Sequence, residues 1–127
     1  MEFTLRTLIS APAKAIYSAY LNSKGHSAMT GGEAHISDTL GDRFTAWDGY
    51  IEGKNLILEP SNRIVQSWRT SQFKEDENDS TVEILLVEKD GKTELTLIHS
   101  GLSDNGEHYK EGWENHYFQP MRAYFSR

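Results

Sequence analysis

Hydrophobic and polar residues alternate along the first segment of the chain, residues 2–10. Phe3, Leu5 and Thr7 would share one face of an extended backbone, because successive side chains of a strand point to opposite sides. The residues between them are mostly polar or charged, as expected for a face in contact with water. This alternation predicts a half-buried first strand.

The hydrophobic spacing becomes helical after Pro12, a residue that the first turn of a helix tolerates because an N–H there would have no partner. A second helix is predicted over residues 23–30, since Asn22 can cap its start and Gly31-Gly32 can end it. The two helices are almost contiguous and are expected to form a bent pair. The first helix has one apolar stripe, formed by Ile16, Tyr17, Tyr20 and Leu21.

The pattern from Glu33 to Ser100 is that of strands rather than helices. Gly53 lies inside one of these strand patterns and predicts a β-bulge. Turn-forming residues separate several of the strands, and such short loops imply antiparallel neighbours; the turns lie at residues 48–49, 60–62 and 90–91. The predicted strands cover residues 33–37, 43–47, 51–59, 62–70, 81–88 and 93–100.

The longest predicted element is a C-terminal helix that reaches about Phe125. Asp104 and Glu107 have the spacing of a capping box, and both carboxylates suit the positive end of a helix dipole. Pro120 removes one backbone hydrogen bond and predicts a kink. A wide and largely aromatic stripe recurs at helical spacing: Tyr109, Gly112, Trp113, His116, Tyr117, Pro120, Met121 and Tyr124.

The order of these elements predicts an α+β fold in which the two short helices follow the first strand. A strongly bent antiparallel sheet has one apolar face, and only the C-terminal helix is long enough to cover it. Wrapping the curved sheet around that helix produces a helix-grip architecture, with a space between them whose size depends on the lining side chains. No repeat or linker divides the sequence, so residues 1–127 are expected to form a single domain.

Composition and charge narrow the classes of function. The chain has no cysteine, which excludes disulfides, thiolate nucleophiles and cysteine-bound metal sites. Its net charge of −6 gives no electrostatic footprint for nucleic acid or an anionic membrane, and residues 74–79 are interpreted as a solvated acidic loop. No apolar run approaches the roughly 18 residues of a membrane span, and the N-terminal residues lack a signal-peptide pattern. A cytoplasmic location is therefore expected.

Five stretches of the sequence resemble one known family. They read T-G-G-E-A (30–34), G-D-R-F-T-A-W-D-G-Y-I-E-G (41–53), L-E-P-S-N-R-I-V-Q-S-W-R (58–69), T-E-L-T-L-I-H-S-G-L (93–102) and G-W-E-N-H-Y-F (112–118). In this order they are similar to the activator of heat-shock-protein-90 ATPase homologue family, a member of the START and birch-pollen-allergen (SRPBCC) superfamily. The likeness extends from about Ala11 to Phe125 and implies the helix-grip fold.

The resemblance also implies what the function is expected to be. The eukaryotic co-chaperone that names the family has two domains, and this chain resembles only the C-terminal one. The N-terminal domain, whose tryptophan-containing motif acts on the chaperone's ATPase, has no counterpart here, so only a weak chaperone contact is expected. Many relatives carry a tryptophan near the second short helix, where this chain reads G-H-S-A-M (25–29), which implies a different cavity rim. The wider superfamily binds lipids, sterols and other hydrophobic ligands.

The candidate site is an apolar cavity between sheet and helix that contains a few polar groups, as small-ligand sites do. Strand and helix parity bring six residues toward one another: Gln66, Trp68, His99, Trp113, His116 and Tyr117. The alternative is a packed core in which His99 and Gln66 satisfy each other or nearby backbone groups. Trp47, next to a turn, is expected to pack the hairpin rather than to contact a ligand.

Signals for a metal, a cofactor or a nucleophile are weak. The five histidines include no pair spaced i, i+4 along the C-terminal helix, the spacing that places two imidazoles on one ion. There is no G-x-S-x-G motif, and Ser100 would point to the face opposite His99. We expect no metal and no cofactor, and the residues identify no catalytic group.

Three functions from different classes remain open at this point. The first is a non-enzymatic START-like module that binds a small hydrophobic ligand. The second is a cyclase- or hydratase-type enzyme that uses His99 or His116 in the cavity. The third is a protein-interaction domain that makes a weak contact with a chaperone. A continuous cavity with an open mouth would favour the first two, and a filled interior with an exposed apolar patch would favour the third.

Overall fold

The computed structural model describes residues 1–126, and its main feature is one antiparallel sheet of six strands. The strands are β1 (Phe3–Ile9), β2 (Arg43–Ala46), β3 (Ile51–Glu59), β4 (Arg63–Thr70), β5 (Ser80–Lys89) and β6 (Lys92–Ser100). Across the sheet they follow the order β1-β6-β5-β4-β3-β2. Strands β2 to β6 therefore pair with strands that are consecutive in sequence, whereas β1 pairs with β6.

Two short helices follow β1, and a longer helical segment ends the described chain. The short helices are α1 (Ala13–Tyr20) and α2 (Ser23–Thr30). The C-terminal helical segment runs without interruption through four stretches that have three different helical geometries. It comprises a 3-10 turn (Gly106–His108), α3 (Tyr109–Trp113), a π-helical turn (Glu114–Phe118) and α4 (Gln119–Phe125).

The two ends of α2 are stabilised as its sequence predicts, whereas the start of α1 is not. The Asn22 side chain accepts a hydrogen bond from the Gly25 N–H at 2.8 Å and caps α2. Gly31 ends α2 with a φ of 90°, a left-handed conformation that glycine adopts without a Cβ clash. At the start of α1 no residue of the helix supplies a cap. Instead Glu88 of β5 accepts from the Ala13 N–H at 2.8 Å and ties α1 to the sheet.

The strand predicted over residues 33–37 is wrong, because only a single bridge between His35 and Thr45 forms there. The N–H groups of Ala34 and Ile36 donate to serine hydroxyls of α2, each at 2.9 Å. These hydroxyls replace the carbonyl groups of a neighbouring strand, so the segment follows α2 instead of extending the sheet.

The bulge predicted at Gly53 lies elsewhere in β3. Gly53 stays in register opposite Trp68, and the register shifts between Asn55 and Ile57. A Cβ on Gly53 would lie 1.8 Å from the Ser67 carbonyl oxygen, so glycine is required by the close approach of β4. The bulge itself places the buried Asn55 amide where it donates to the carbonyls of the loop before β2, at 2.9 and 3.0 Å.

The start of the C-terminal helical segment also differs from its prediction. The capping box of Asp104 and Glu107 does not form, because the segment opens with a 3-10 turn and Glu107 pairs with Lys110 at 2.7 Å. The irregularity expected at Pro120 takes the form of the π-helical turn just before it. The Gln119 N–H donates to the Glu114 carbonyl, which lies five residues earlier instead of the four of an α-helix. The hydrogen-bond pattern therefore changes at the residue just before the proline.

The core lies between the concave face of the sheet and the C-terminal helical segment. Its sheet side includes Ile64, Val82, Ile84, Leu95 and Leu97, each no more than 2% exposed. Its helix side includes Trp113, Tyr117, Phe118 and Met121. This arrangement confirms the predicted α+β helix-grip fold. Among residues 1–126, no helix has both the length and the hydropathy that a membrane crossing requires.

Candidate functional site

A cavity of about 220 Å³ lies between the β2–β3 hairpin, β4 and the C-terminal helical segment. Its deepest walls are Trp68, Trp113 and Tyr117, each 3% exposed. Tyr50 and His116 are exposed and form its mouth. Because the walls range from buried to exposed, the cavity is a pocket that opens to solvent. It is lined by Trp47, Tyr50, Ile51, Trp68, Tyr109, Gly112, Trp113, His116 and Tyr117.

The aromatic rings of the cavity support one another. The rings of Trp68 and Tyr109 are nearly perpendicular, with centroids 5.0 Å apart. The rings of Trp113 and Tyr117 lie 4.7 Å apart in a tilted arrangement. Such pairs stabilise each other beyond the area that they bury, so the rings hold one another in place as walls of the cavity.

Gly112 leaves a gap in the helical wall of the cavity. A Cβ added at this position would meet no atom within 4 Å, although the residue lies in the interior of a helix. Its φ is not positive, so the backbone does not require glycine. The missing side chain therefore contributes space to the cavity and nothing to local conformation.

Four of the six residues that parity brings toward one cavity do line it: Trp68, Trp113, His116 and Tyr117. The other two, Gln66 and His99, are 0% exposed and lie in the core, outside the lining. Parity identifies the face of the sheet to which a side chain points. It does not say how deep the side chain lies beneath the helix.

His99 is held in a complete hydrogen-bond chain. The Trp113 Nε1–H donates to His99 Nδ1 at 3.0 Å, so this nitrogen carries no proton. His99 Nε2–H then donates to Ser80 Oγ at 2.9 Å, and the Ser80 hydroxyl donates to the Trp68 carbonyl at 2.7 Å. Burial lowers the pKa of His99 to about 3. Both ring nitrogens are occupied, so His99 orients Trp113 and has no lone pair available for a ligand.

Gln66 also belongs to the core. Its amide nitrogen donates to Asn55 Oδ1 at 2.9 Å, which connects β4 to the bulge of β3. Its Oε1 is buried and has no hydrogen-bond partner among the described residues. The pairing of Gln66 with His99 that the packed-core alternative suggested is therefore not formed.

A histidine that sequence reasoning missed lies behind Tyr117. His26 of α2 is 1% exposed, and its Nδ1–H donates to the Tyr20 carbonyl at 2.8 Å. Its Nε2 therefore accepts from the Tyr117 O–H, at 2.9 Å. Burial lowers the pKa of His26 and raises that of Tyr117, so both groups are neutral near pH 7. The only sequence signal for His26 is that it shares one face of α2 with Met29 and Thr30.

Trp47 is a wall of the cavity, and not only a residue that packs the hairpin as the sequence suggested. Its φ is 50°, and Asp48 and Gly49 have φ values of 60° and 88°, so the whole turn is left-handed. A Cβ on Gly32 would lie 2.5 Å from the Trp47 ring, which shows that the indole packs directly on the glycine backbone. The His116 ring contacts Trp47 edge-on at 5.3 Å. The sequence predicts a turn at residues 48–49. No hydrophobic periodicity indicates that Trp47 itself is left-handed or that its ring packs on Gly32.

The tyrosine hydroxyl groups near the mouth are bound by the protein itself. The hydroxyls of Tyr109 and Thr70 form a hydrogen bond of 2.6 Å, and Tyr50 donates to Gln72 Oε1 at 2.7 Å. Burial raises the pKa of Tyr109. With these hydroxyls already paired, the cavity offers mainly carbon surface and aromatic rings. Among the described residues that line it, Trp47 keeps a buried Nε1–H without a hydrogen-bond partner.

No group of three or more His, Cys, Asp or Glu side chains within residues 1–126 is arranged to hold a metal ion. The histidines therefore have to be explained singly. His26 and His99 fix neighbouring rings, and His116 forms part of the mouth.

The sequence profile of the family described as "Activator of Hsp90 ATPase homolog 1-like protein" matches residues 10–126. The chain belongs to this family. The resemblance carried by the five stretches of sequence is thereby confirmed. A curated relative from Dictyostelium discoideum, "Activator of 90 kDa heat shock protein ATPase homolog", is 24% identical over 111 residues, which are 87% of this chain and 29% of the relative. The chain spans about a third of the length of the curated relatives it matches.

Two solved structures have the same fold as this member of the Hsp90 ATPase activator homologue family. An HSP90 activator from Plasmodium falciparum superposes with a TM-score of 0.90 at 20% identity, covering 99% of this chain and 96% of that one. CalU16 from Micromonospora echinospora superposes with a TM-score of 0.82 at 25% identity, covering 98% and 76%. At these identities the likeness establishes the fold of this chain.

Proposed function

We propose that this chain is a non-enzymatic, cytoplasmic START-like module that binds a small, largely apolar ligand. The observation that carries the proposal is the continuous pocket of about 220 Å³ with an aromatic lining and an open mouth. Ligand sites are typically concave, mainly apolar and largely preformed, and this pocket has each of these features.

The volume limits the size of the ligand. Sites for drug-sized molecules occupy roughly 300–1,000 Å³, while an apolar cavity of about 150 Å³ is enough for benzene. At about 220 Å³ the pocket fits a compound of one or two rings, or an aliphatic group of similar size. Whole lipids and sterols, which the wider superfamily binds, are too large unless the walls move.

The polar groups around the pocket support binding rather than catalysis. A general acid or base has to reach the substrate with a free proton or lone pair. His99 and His26 use both ring nitrogens within the protein, and the Tyr109 and Tyr117 hydroxyls are paired as well. Of the two histidines in the cyclase or hydratase alternative, only His116 remains near the pocket, and it lies at the exposed mouth.

The test is calorimetric titration of the folded protein with naphthalene. We expect binding in the micromolar range, on the order of −7 to −8 kcal/mol. Gly112→Leu would fill the gap in the helical wall and should abolish binding, whereas Asn115→Leu adds the same side chain at an exposed position of the same segment and should leave it unchanged. If the wild-type protein binds no apolar compound, or if both variants bind equally, the pocket is not a ligand site.

A weak chaperone contact is proposed as a second activity. It is supported by the family to which the chain belongs and by the name of the Dictyostelium relative. Because the chain spans only about a third of the curated relatives, we propose a secondary contact and not full ATPase activation.

A further inference from the structure

We propose that the pocket selects a small quaternary ammonium cation, such as a trimethylammonium group, over neutral compounds of the same shape. This inference rests on the proposed function, since it assigns a chemical class to the ligand of the same pocket. It is carried by the nature of the lining, by the charges around the pocket and by the hydrogen bonds already made within the protein.

Six of the nine lining residues are tryptophan or tyrosine: Trp47, Tyr50, Trp68, Tyr109, Trp113 and Tyr117. The face of an aromatic ring carries partial negative charge and attracts a cation, and tryptophan does so most strongly. The near-perpendicular rings of Trp68 and Tyr109 form a corner, and Trp113 and Tyr117 continue its wall. Aliphatic walls would suffice for a neutral ligand, whereas rings on several sides of a small pocket resemble the aromatic cages that bind methylated ammonium groups.

The charges around the pocket favour a cation and disfavour an anion. The lining contains no lysine or arginine, and the whole chain has a net charge of −6. The acidic loop, residues 74–79, follows Phe73, whose ring centroid lies 6.2 Å from those of Trp68 and Tyr109. Lys74 and Glu77 of the loop line a neighbouring depression that shares Tyr109 with the pocket. Arg69 fixes this loop by donating to the Lys74 and Glu77 carbonyls at 2.9 Å.

The influence of the acidic loop reaches a wall of the pocket. Burial is the main cause that raises the pKa of Tyr109; the hydrogen bond from Thr70 lowers it, Tyr50 raises it, and the negative charge of Glu77 makes the smallest contribution. Residues 74–79 contain four carboxylates and one lysine, so the loop stays acidic even with Arg69 beside it. A loop of net negative charge close to Tyr109 favours a positive ligand over a negative one.

The hydrogen bonds of the walls decide which kind of cation fits. A primary ammonium needs acceptors for its N–H groups, and burying them without partners is costly. The lining contains no carboxylate, and the Tyr50 and Tyr117 hydroxyls donate to Gln72 and His26, so their oxygens offer an ammonium only their remaining lone pairs. A quaternary ammonium has no N–H group to satisfy, and its methyl groups contact aromatic rings directly. Its three methyl groups and nitrogen also suit a pocket of about 220 Å³.

The test compares choline with 3,3-dimethylbutan-1-ol, which has the same shape but a carbon in place of the charged nitrogen. We expect choline to bind the folded protein at least tenfold more tightly in calorimetric titrations. Ethanolamine, which keeps the charge but has N–H groups, should bind more weakly than choline. Equal or tighter binding of 3,3-dimethylbutan-1-ol would overturn the inference.

A pair of variants at Tyr50 separates the ring from the hydroxyl. Tyr50 is exposed at the mouth, so neither variant removes a core side chain. Tyr50→Phe keeps the ring, whereas Tyr50→Leu keeps an apolar side chain without one. We expect Tyr50→Leu to bind choline at least threefold more weakly than Tyr50→Phe, with 3,3-dimethylbutan-1-ol affected equally by both. Equal choline affinities in the two variants would contradict the role of the ring.

The outcomes distinguish this inference from the proposed function. If naphthalene binds and choline shows no preference over its neutral isostere, the cation inference fails and the apolar pocket stands. If none of these compounds binds, the proposed function fails and the inference fails with it. Tight choline binding that Gly112→Leu abolishes supports both.

Discussion

Replacing Gly112 by alanine tests whether the glycine is present for the cavity or for the fold. The residue lies in the interior of the C-terminal helical segment, where glycine is less favourable than alanine by about 0.5–1 kcal/mol. Its φ is not positive, and a Cβ would meet no atom within 4 Å, so no strain opposes the change. Gly112→Ala should therefore increase the free energy of unfolding by about 0.5–1 kcal/mol, raising Tm by about 2–5 °C.

The measurement is urea unfolding followed by tryptophan fluorescence and circular dichroism. The urea concentration at the midpoint should rise without a change in the m-value, because the variant and the wild type expose almost the same surface area when they unfold. Gly25→Ala is the matched comparison, since Gly25 is also helical but its Cβ would lie 2.9 Å from the Ala19 backbone. We expect this second variant to be destabilised.

The refuting result is a Gly112→Ala protein that is less stable than the wild type. In the dissolved protein, the added methyl group would then contact protein atoms that the structure places more than 4 Å away from it. If the variant is more stable but binds naphthalene or choline more weakly, the chain has given up helix stability for space at this position. That combination is expected where a site and the fold compete for one residue.

Two further predictions concern acid stability and the chaperone. In the unfolded chain His99 binds a proton below about pH 6.5, whereas burial in the folded protein lowers its pKa to about 3. The free energy of unfolding should therefore fall by about 2–3 kcal/mol as the pH is lowered from 7 to 4.5. His99→Gln should flatten this pH profile in urea-unfolding experiments, although buried His26 keeps part of the slope; an unchanged profile would contradict the neutral state of His99. The 127-residue chain alone should stimulate the ATPase of its host's Hsp90 less than tenfold, in a salt-sensitive manner, because exposed charges are screened over about 8–10 Å. Salt-insensitive stimulation of tenfold or more in an ATP-hydrolysis assay would refute the weak-contact proposal.

Local chemistry in the sequence was enough to place most elements. Asn22 and Gly31 mark the two ends of α2, because a side-chain cap and a left-handed residue act within one helical turn. The turn at Asp90 and Gly91 likewise joins β5 to β6, with positive φ at both residues. The period of the hydrophobic pattern distinguished the strands from the helices, and the order of elements then led to the helix-grip fold.

The site was predictable by face but not by depth. Residues two apart on a strand share a face whatever the rest of the chain does, so Trp68 and His99 were both placed toward the helix. How far each lies from the cavity depends on the curvature of the sheet and on where Trp113 crosses it. Only the packed structure shows that His99 bonds to Trp113 from behind, while Trp68 reaches the pocket.

The remaining differences arise where a backbone or side-chain group is satisfied by a distant element. The N–H groups of Ala34 and Ile36 pair with serines of α2, which makes a strand pattern into a loop. Trp47 becomes a cavity wall because its left-handed turn lays the indole on Gly32. Periodicity records which side of an element is apolar, but partners far apart in sequence are chosen only when the whole chain packs. For that reason the sequence determined most of the elements and the family, and the tertiary structure decided the walls of the cavity.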